Sequence, residues 1–499
     1  MMSQVARLGA LRRSLSTAPL VAPALTTPPA SGLKGALKRM LGPSADPLPP
    51  DFRIDESLLP EVPTRVTTLS NGLRVATETR PVGTAVVGVW IDAGTRFEDE
   101  RVNGAAHFLE HLIFKGTTNR AQRTLEVGVE NIGAHLNAYT SREQTVYYAR
   151  SLKHHVPDMT ALLADILQNS EISDAAVDRE RDVILREMEE IDQIQEEVLF
   201  DYLHGTAYQD CPLARTILGP VENIKSLTSS DLKAYIAQHY KPHRMVLAAA
   251  GEVNHDDLVQ LAEKNFGSMH ADSSAPTSLD LVTEKPAYLV GSDVRIRNDD
   301  MPLAHFAIAF ESCGWTHPDA VSFMVLQSLM GSFDRASTTG SSSSYRLAST
   351  LSGIPNARTA TTFNTTYTDT GLFGIYATAE PRELDDVVVP IMEELVRNCF
   401  KVDEAQLANA KSALKTSLLS QLDGPTGIAE EIGRQLLVYG RRIPMSEWFT
   451  RIDAVDAEAI KRVSNKYIFD REVAITAMGP IHSLPDYNFI RRRTYSNVF

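Results

Sequence analysis

An internal repeat is the feature that most constrains the fold of this chain. Four short patterns of the first half return in the same order in the second half. The first pair is W-I-D-A-G-T at 90–95 and F-E-S-C-G-W at 310–315, and the second is F-K-G-T at 114–117 and L-M-G-S at 329–332. The third is V-D, at 177–178 and again at 402–403. The fourth is a spaced set of Tyr, Arg, Val and Gly, at 240, 244, 246 and 251 in the first half and at 467, 471, 473 and 479 in the second. Four patterns in one order predict two homologous domains. A chain of 499 residues also exceeds what a single hydrophobic core supports.

Each half is predicted to have the α+β fold class, with a mainly antiparallel sheet flanked by helices. Asn71-Gly72 separates two apolar runs, which is a strong hairpin signal. The other first-half predictions are a strand at 85–91, a helix from about 103, a helix at 124–131, strands at 134–141 and 143–151, helices at 155–168 and 174–202, and a helix, strand and helix over 229–266.

The first 45 residues differ in charge from the rest of the chain. They contain six basic residues and no acid, and Asp46 is the first acidic residue. A basic, Ser-containing segment that is amphipathic over 5–15 is typical of an organelle transit peptide, and a disordered tail is the alternative. Removal of this segment lowers the formal charge from −14 to −20. An acidic balance of this size favours basic partners, and an acidic surface that only keeps the protein in solution is the alternative.

The remaining composition is that of an ordinary globular protein. Hydrophobic residues make up 43% of the chain, yet no apolar run approaches the ~20 residues of a membrane-spanning helix. Three widely spaced cysteines argue against a disulfide framework and for a reducing compartment.

Residues 107–111 read H-x-x-E-H, an inverted zinc-protease motif. On a helix, His107 and His111 lie one turn apart on one face, where two imidazole nitrogens can bind one Zn²⁺. Glu110 lies on the same side and could take a proton from a water activated by the metal. The alternative is an amphipathic helix whose His residues line a polar face. The matching second-half segment at 320–326 has no such residues, so only the first half is predicted to be catalytic.

A catalytic zinc needs a third protein ligand, for which a carboxylate is the best candidate. The predicted helix from 174 offers four, namely Glu180, Glu187, Glu189 and Glu190. Glu180 and Glu187 are seven residues apart and so lie on nearly the same face, two turns from each other. One could bind the metal while the other orients a ligand or holds a proton. A solvated helix face is the alternative for each.

These features resemble the pitrilysin-type (M16) zinc metallopeptidases, and within them the branch that contains mitochondrial processing peptidases and cytochrome bc1 core proteins. The family pattern has a Glu 76 residues after the second His and another Glu seven residues earlier, which fall on Glu187 and Glu180. The resemblance implies one Zn²⁺ per chain, bound by His107, His111 and Glu187. It also implies catalytic roles for Glu110, which activates the water, and Glu180, which supports a metal ligand.

The resemblance further implies a set of substrate-binding residues. Residues 136–140 match an edge strand that pairs with an extended substrate, which involves Asn137, Ala138 and Tyr139. Phe114 matches the pocket for the residue after the cut. Glu197 and Asp201, one helical turn apart, match acids that bind a substrate arginine. Without the resemblance, both acids read as solvated helix charges.

The implied function is removal of N-terminal presequences from imported mitochondrial proteins, in the matrix or on the matrix face of the inner membrane. The partner would be an α subunit of the core protein 2 type, because the stretch at 331–340 is not the glycine-rich run of that subunit. Other cytochrome bc1 subunits are further expected partners, and no nucleic acid is expected. The alternative is a non-proteolytic structural core subunit of the bc1 complex. A free-standing peptide-degrading relative is disfavoured because those chains hold four such domains.

The predicted domain organisation follows from these observations. It comprises a presequence and arm at 1–45, a Pro-rich lead-in at 46–63, a catalytic domain at 64–267, a linker at 268–287, an inactive homologous domain at 288–485 and a tail at 486–499.

Overall fold

The computed structural model describes residues 62–272, 274–337 and 343–496. The predicted presequence lies outside these ranges, as do most of the Pro-rich lead-in and the last three residues. Within the described ranges, no helix is both long enough and apolar enough to cross a membrane.

The first half forms one sheet with helices on its faces. The predicted hairpin is confirmed, and Gly72 has a φ of 94°, in the left-handed region that favours glycine. In chain order, the elements are β1 (Arg65–Thr68), β2 (Arg74–Thr79), β3 (Thr84–Ile91), α1 (Ala105–Leu112), α2 (Gln122–Asn131), β4 (His135–Thr140), β5 (Thr145–Leu152), α3 (Val156–Asn169), α4 (Asp174–Ile191), α5 (Gln195–Ala207), α6 (Val221–Ser226), α7 (Ser229–His239), β6 (Met245–Gly251), α8 (His255–Phe266) and α9 (Ser278–Glu284).

The second half forms a similar sheet. Its elements in the described residues are β7 (Ser292–Arg297), β8 (Ala304–Cys313), α10 (Ala320–Met330), β9 (Ser332–Asp334), α11 (Arg346–Ser352), β10 (Ala357–Thr366), β11 (Thr370–Ala379), α12 (Asp385–Arg397), α13 (Glu404–Gln421), α14 (Pro425–Tyr439), α15 (Met445–Asp453), α16 (Ala457–Tyr467), β12 (Ala474–Gly479) and α17 (Tyr487–Ser496).

The strand orders of the two sheets confirm the predicted duplication. The first sheet has the order β1-β2-β6-β3-β5-β4 and the second β7-β12-β8-β11-β10-β9. Starting at β2, the first sheet has one parallel pair followed by three antiparallel pairs. Starting at β7, the second sheet has the same sequence of pairs. The sheets differ at their edges: β4 ends the first, whereas β9 pairs with β10 and ends the second. The α+β class with two homologous domains is therefore confirmed.

The two halves exchange a helix. Helix α5 of the first half packs Leu199 and Leu203 against β8 and β12 of the second sheet. Helix α14 of the second half packs Ile432 against Trp90 and the other apolar side chains on one face of the first sheet. At Gly433 the approach is so close that a Cβ would lie 2.1 Å from the Trp90 ring. Each sheet is thus covered on one face by its own helices and on the other by a helix of the other half.

The predicted helix over 174–202 is wrong in its extent. It is two helices, with a break at 192–194, although no Gly or Pro marks that point. The apolar residues change partner there. Ile184 of α4 lies in the first-half core, whereas Leu199 of α5 lies against the second sheet. Local sequence does not encode this change, because it depends on contacts between the halves.

Part of the predicted linker is folded. Helix α9 lies within 268–287 and begins with a capping box between Thr277 and Asp280. Its Val282 is buried, and its Ser278 hydroxyl donates a hydrogen bond to Asp92 at the end of β3.

A buried arginine ties the β4–β5 turn to the second half. Arg96, only 4% exposed, donates to both carboxylate oxygens of Asp369 at 2.7 Å and to Glu143 Oε1 at 2.7 Å. Glu143 also accepts a hydrogen bond from the backbone N–H of Thr368 at 3.1 Å. The turn at 141–144 therefore lies at the junction of the two halves.

Candidate metal centre

Helix α1 carries the H-x-x-E-H motif and begins with a buried cap. Glu98 Oε1 accepts from the Ala106 N–H at 2.7 Å, and Oε2 accepts from the Gly104 N–H at 2.9 Å and Asn103 Nδ2 at 2.8 Å. Burial raises the pKa of Glu98 to about 7, while these hydrogen bonds and Arg215 favour the carboxylate. Glu98 was not predicted from the sequence, because it precedes the helix by more than the usual capping positions.

The two motif histidines and Glu187 converge. Their ligand atoms lie within 4.8 Å of one another. Glu187 Oε2 is 3.4 Å from His107 Nε2 and 2.9 Å from His111 Nε2. Glu187 reaches this position because α4 packs against α1. Of the four carboxylates considered from the sequence, Glu187 is the one that joins both histidines in the described residues.

This donor set fits a metal ion. His107 Nε2 and Glu187 Oε2 are buried, and neither makes a hydrogen bond of acceptable geometry within the described residues. Buried polar atoms without partners are rare in folded proteins, and a cation would satisfy both. Two donors on a tetrahedral zinc, each at about 2.1 Å, are about 3.4 Å apart. The separation of Glu187 Oε2 from His107 Nε2 is the same, 3.4 Å, and that from His111 Nε2 is shorter, at 2.9 Å. Two imidazoles and one carboxylate are also a common protein ligand set of catalytic zinc.

Glu180 lies behind His111, not among the three converging donors. Its Oε1 accepts from His111 Nδ1 at 3.1 Å, and its Oε2 accepts from Lys115 Nζ at 3.0 Å. A proton held on Nδ1 leaves Nε2 of His111 free to bind a metal. Lys115 was not predicted from the sequence. It joins the arrangement because it lies one turn beyond His111 and faces the same carboxylate.

The electrostatics of the cluster follow from these contacts. Burial lowers the pKa of His111, but Glu180 and Glu187 outweigh it and raise the pKa to about 9. Burial raises the pKa of Glu187, but the two histidines outweigh it and hold the pKa well below its ordinary value. Burial likewise opposes the lowered pKa of Glu180, which His111 and Lys115 favour. In the metal-free protein, a proton on His111 therefore competes with a metal at neutral pH.

Glu110 lies beside the cluster. Its Oε2 is 3.9 Å from His107 Nδ1, and its side chain is 20% exposed. The structure thus brings four predicted residues, Glu110 and the three converging donors, to one face of α1.

The strand proposed to bind substrate, β4, ends the first sheet on the side where α1 packs. Ala138 is buried in the core that includes α1. The side chains of Asn137 and Tyr139 turn to the other face, where Asn137 Nδ2 donates to Tyr148 at 2.9 Å and the Tyr139 hydroxyl donates to Glu430 of α14. Any contact of these two residues with a substrate strand would therefore be made by their backbone.

Phe114 lies just beyond α1 and is partly buried against the first-half core. Its ring meets the Tyr147 ring edge to face, with centroids 6.2 Å apart. The ring is thus held by packing close to the motif helix.

Glu197 and Asp201 lie on α5, the exchanged helix, and differ in their surroundings. Glu197 is exposed. Asp201 accepts from Arg142 Nη2 at 2.5 Å, and Arg142 belongs to the turn that follows β4. The sequence did not predict that Asp201 already has a guanidinium partner within the chain, since 59 residues separate the two.

Comparison with known proteins identifies the class to which the fold and the site belong. The chain matches Insulinase (Peptidase family M16) over residues 74–221 and the Peptidase M16 inactive domain over residues 226–414. The chain therefore belongs to the M16 metallopeptidase family.

Within that family, the chain is similar over most of its length to processing peptidases. It is 52% identical to the mitochondrial-processing peptidase subunit beta of Bos taurus over 427 residues, 86% of each chain. It is 53% identical to the probable mitochondrial-processing peptidase subunit beta of Arabidopsis thaliana over 437 residues, which cover 87% of this chain and 82% of that protein. A chain of complex III2 from Candida albicans has the same fold, with a TM-score of 0.76 and 27% identity, over 86% of this chain and 99% of that one.

Proposed function

We propose that this protein is a zinc metalloendopeptidase that removes N-terminal presequences from imported mitochondrial proteins, as the catalytic β subunit of a heterodimer. The observation that carries the proposal is the convergence of His107, His111 and Glu187 beside Glu110. Identity above 50% with processing-peptidase β subunits supports the substrate class. The same names support a mitochondrial location, for which we propose the matrix or the matrix face of the inner membrane.

The proposed cofactor is one Zn²⁺ per chain, held by His107, His111 and Glu187. When bound, the metal would polarise the scissile carbonyl and make water a stronger nucleophile. Three protein ligands leave one position open, as a catalytic rather than a structural site requires.

The chain's own residues would move the protons and hold the substrate. Glu110 takes a proton from the attacking water and returns it to the leaving amine. Glu180 keeps the Nδ1 proton of His111 in place and so fixes the orientation of that ring. Strand β4 aligns the substrate by backbone hydrogen bonds, which accept many different side chains. Phe114 contributes an apolar wall for the residue after the cut.

Recognition of a basic presequence would come from charge. The formal charge of the whole chain is −14, and an acidic surface attracts cationic peptides. Glu197 and Asp201, one turn apart on α5, would bind an arginine of the presequence by charge-assisted hydrogen bonds.

The proposed partner is an α subunit of the core protein 2 type. The similar proteins of Bos taurus and Arabidopsis thaliana are both named as the β subunit of a peptidase, which supports a partner chain. A second role, as a core subunit of a cytochrome bc1 complex, is favoured by the similarity to a chain of complex III2 that covers 99% of that chain. The two roles are compatible, and further bc1 subunits would then be partners.

The test is cleavage of a fluorescent presequence peptide by the native protein purified with its partners, with metal content and co-purifying subunits recorded. Glu110→Gln should abolish cleavage and retain the metal, because Glu110 is not among the three converging donors. Loss of activity on chelation and its recovery with Zn²⁺ would identify the ion. Bound zinc without cleavage, in an assembly that contains an α subunit, would favour the structural role.

A further inference from the structure

Arg142 forms an ion pair with Asp201, one of the two acids proposed to bind an arginine of the substrate. Its Nη2 donates to Asp201 Oδ1 at 2.5 Å. The Arg142 side chain is 9% exposed, whereas that of Asp201 is 38% exposed. One face of the pair is therefore buried, while the carboxylate remains accessible from outside.

The surroundings of Arg142 leave Asp201 as its counter-ion. Its neighbour Glu143 is bonded to Arg96 and to the Thr368 N–H. His204, one turn after Asp201, is neutral, because burial and then Arg142 hold its pKa well below the ordinary value. The buried Nε of Arg142 has no hydrogen-bond partner in the described part of the chain. A buried guanidinium in this position cannot leave Asp201 without losing its compensating charge.

The geometry therefore favours a carboxylate of Asp201 that binds both arginines at once over displacement of Arg142 by the substrate's arginine. Arg142 holds Oδ1 of Asp201 from the buried side, and an incoming guanidinium would approach Oδ2 and the exposed Glu197 from outside. Two cations on one carboxylate repel each other, and the inner one neutralises part of the charge that the outer one would meet. The attraction of the acidic pair for an arginine is thus weaker than that of two unpaired acids.

We propose that Arg142 is a specificity-determining residue that shares Asp201 with the substrate's arginine and thereby limits how strongly arginine is selected. This inference rests on the proposed function, since it concerns the substrate of the same site. Its consequence is a subsite that prefers arginine only moderately, so that presequences of different sequence can bind and their products can leave.

The experiment compares two presequence peptides that differ at one position, arginine or its neutral isostere citrulline, with the protein purified together with its partner subunit. The measured quantity is the ratio of kcat/KM for the arginine peptide to that for the citrulline peptide. Arg142→Gln should raise this ratio about fivefold through a lower KM for the arginine peptide, the effect of about 1 kcal/mol for a partly exposed ion pair. Arg142→Lys keeps the positive charge and should leave the ratio near that of the wild type.

Four further variants complete the test, one of them a substitute. Asp201→Asn should lower the ratio, and adding Arg142→Gln to it should cause no further change, because the shared carboxylate is gone. Arg346→Gln, which breaks a second-half ion pair with Glu394 at 2.8 Å, is the matched control for loss of one positive charge. If Arg142→Gln does not fold, Arg142→Met preserves the volume of the stem and takes its place.

The outcomes are distinct. An unchanged or lower ratio in Arg142→Gln would overturn the inference and make Arg142 a support for Asp201. A wild-type ratio near one would show that the acidic pair does not bind arginine, which overturns the inference but leaves the peptidase proposal standing. Failure of the wild type to cleave either peptide would overturn the proposed function and this inference with it.

Discussion

At the residue scale, Glu180 tests how much the metal site depends on its surroundings. Glu180→Gln removes the charge that holds the Nδ1 proton of His111 and pairs with Lys115. We expect the zinc affinity to fall about 10- to 100-fold, the usual effect of losing a partner that orients a metal ligand. Equilibrium competition with a chromophoric chelator measures this. Glu190→Gln, an exposed acid on the same helix, should bind zinc like the wild type. Equal affinity of both variants would remove this role from Glu180.

The lowered pKa of the buried His239 predicts that the stability of the protein falls at acidic pH. Burial and then Arg244 lower the pKa of His239 to about 3, well below its ordinary value of 6.5. Above pH 6.5 the His239 ring is neutral in both the native and the unfolded protein, so its burial costs no free energy of deprotonation. As the pH falls from about 6.5 towards 3, the unfolded chain binds a proton that the native protein excludes, and stability is lost.

The expected loss from this one group is about 2 kcal/mol between pH 7.5 and pH 5, at about 1.4 kcal/mol per pH unit. Denaturant unfolding at the two pH values should therefore show a smaller loss for His239→Asn, whose amide oxygen can still accept from Arg244. The other buried histidines contribute equally to both proteins. Identical pH dependence of the two would mean that His239 is not the group responsible.

At the element scale, the stability of α1 depends on Glu98. Its carboxylate accepts two backbone N–H groups at the start of the helix, and a Gln side chain would turn an N–H₂ group towards one set of these donors. Glu98→Gln should lower the free energy of unfolding by about 1–2 kcal/mol and weaken metal retention. Chemical denaturation with and without chelator measures both effects. Glu100→Gln, two residues away and exposed, should change neither.

Elements whose signals are local were predicted well. The Asn71-Gly72 hairpin is confirmed, and the motif helix begins within two residues of its predicted start. The end of α4 was missed, because the helix ends where the contacts of the chain change from the first-half core to the second sheet. Helix α9 was missed because its one buried apolar side chain, Val282, gives no periodic pattern.

At the scale of the whole molecule, each half has a core of its own but depends on a helix of the other half to cover one face of its sheet. The first half without α14 would expose Trp90 and the apolar face around it, a patch of the kind that causes aggregation. A fragment of residues 62–272 should therefore be insoluble when expressed alone, and should become soluble with a fragment of residues 273–499. Gel filtration of both preparations checks this. A monodisperse, folded first half on its own would contradict the role given to α14.

The site shows the same limit of sequence reasoning at this scale. His107, Glu110 and His111 share one helix, so their proximity follows from spacing alone. The choice of Glu187 over Glu180 came from a family resemblance, because the approach of α4 to α1 depends on tertiary packing. Lys115 and Arg142 had no local signal, and they acquire partners only when distant segments meet.

The exchange of helices also sets the order in which this chain can fold. Whether the polypeptide emerges from a ribosome or from a translocation channel, its N-terminal end appears first. The cover of the first sheet, α14, ends at residue 439, and the strand at the centre of the α5 contact, β12, begins at residue 474. Until nearly the whole length has emerged, the half that carries the candidate metal site has no cover for one face of its sheet. The first half can therefore complete its packing only after α14 has emerged, and until then the incomplete chain exposes an apolar sheet face that is prone to aggregation.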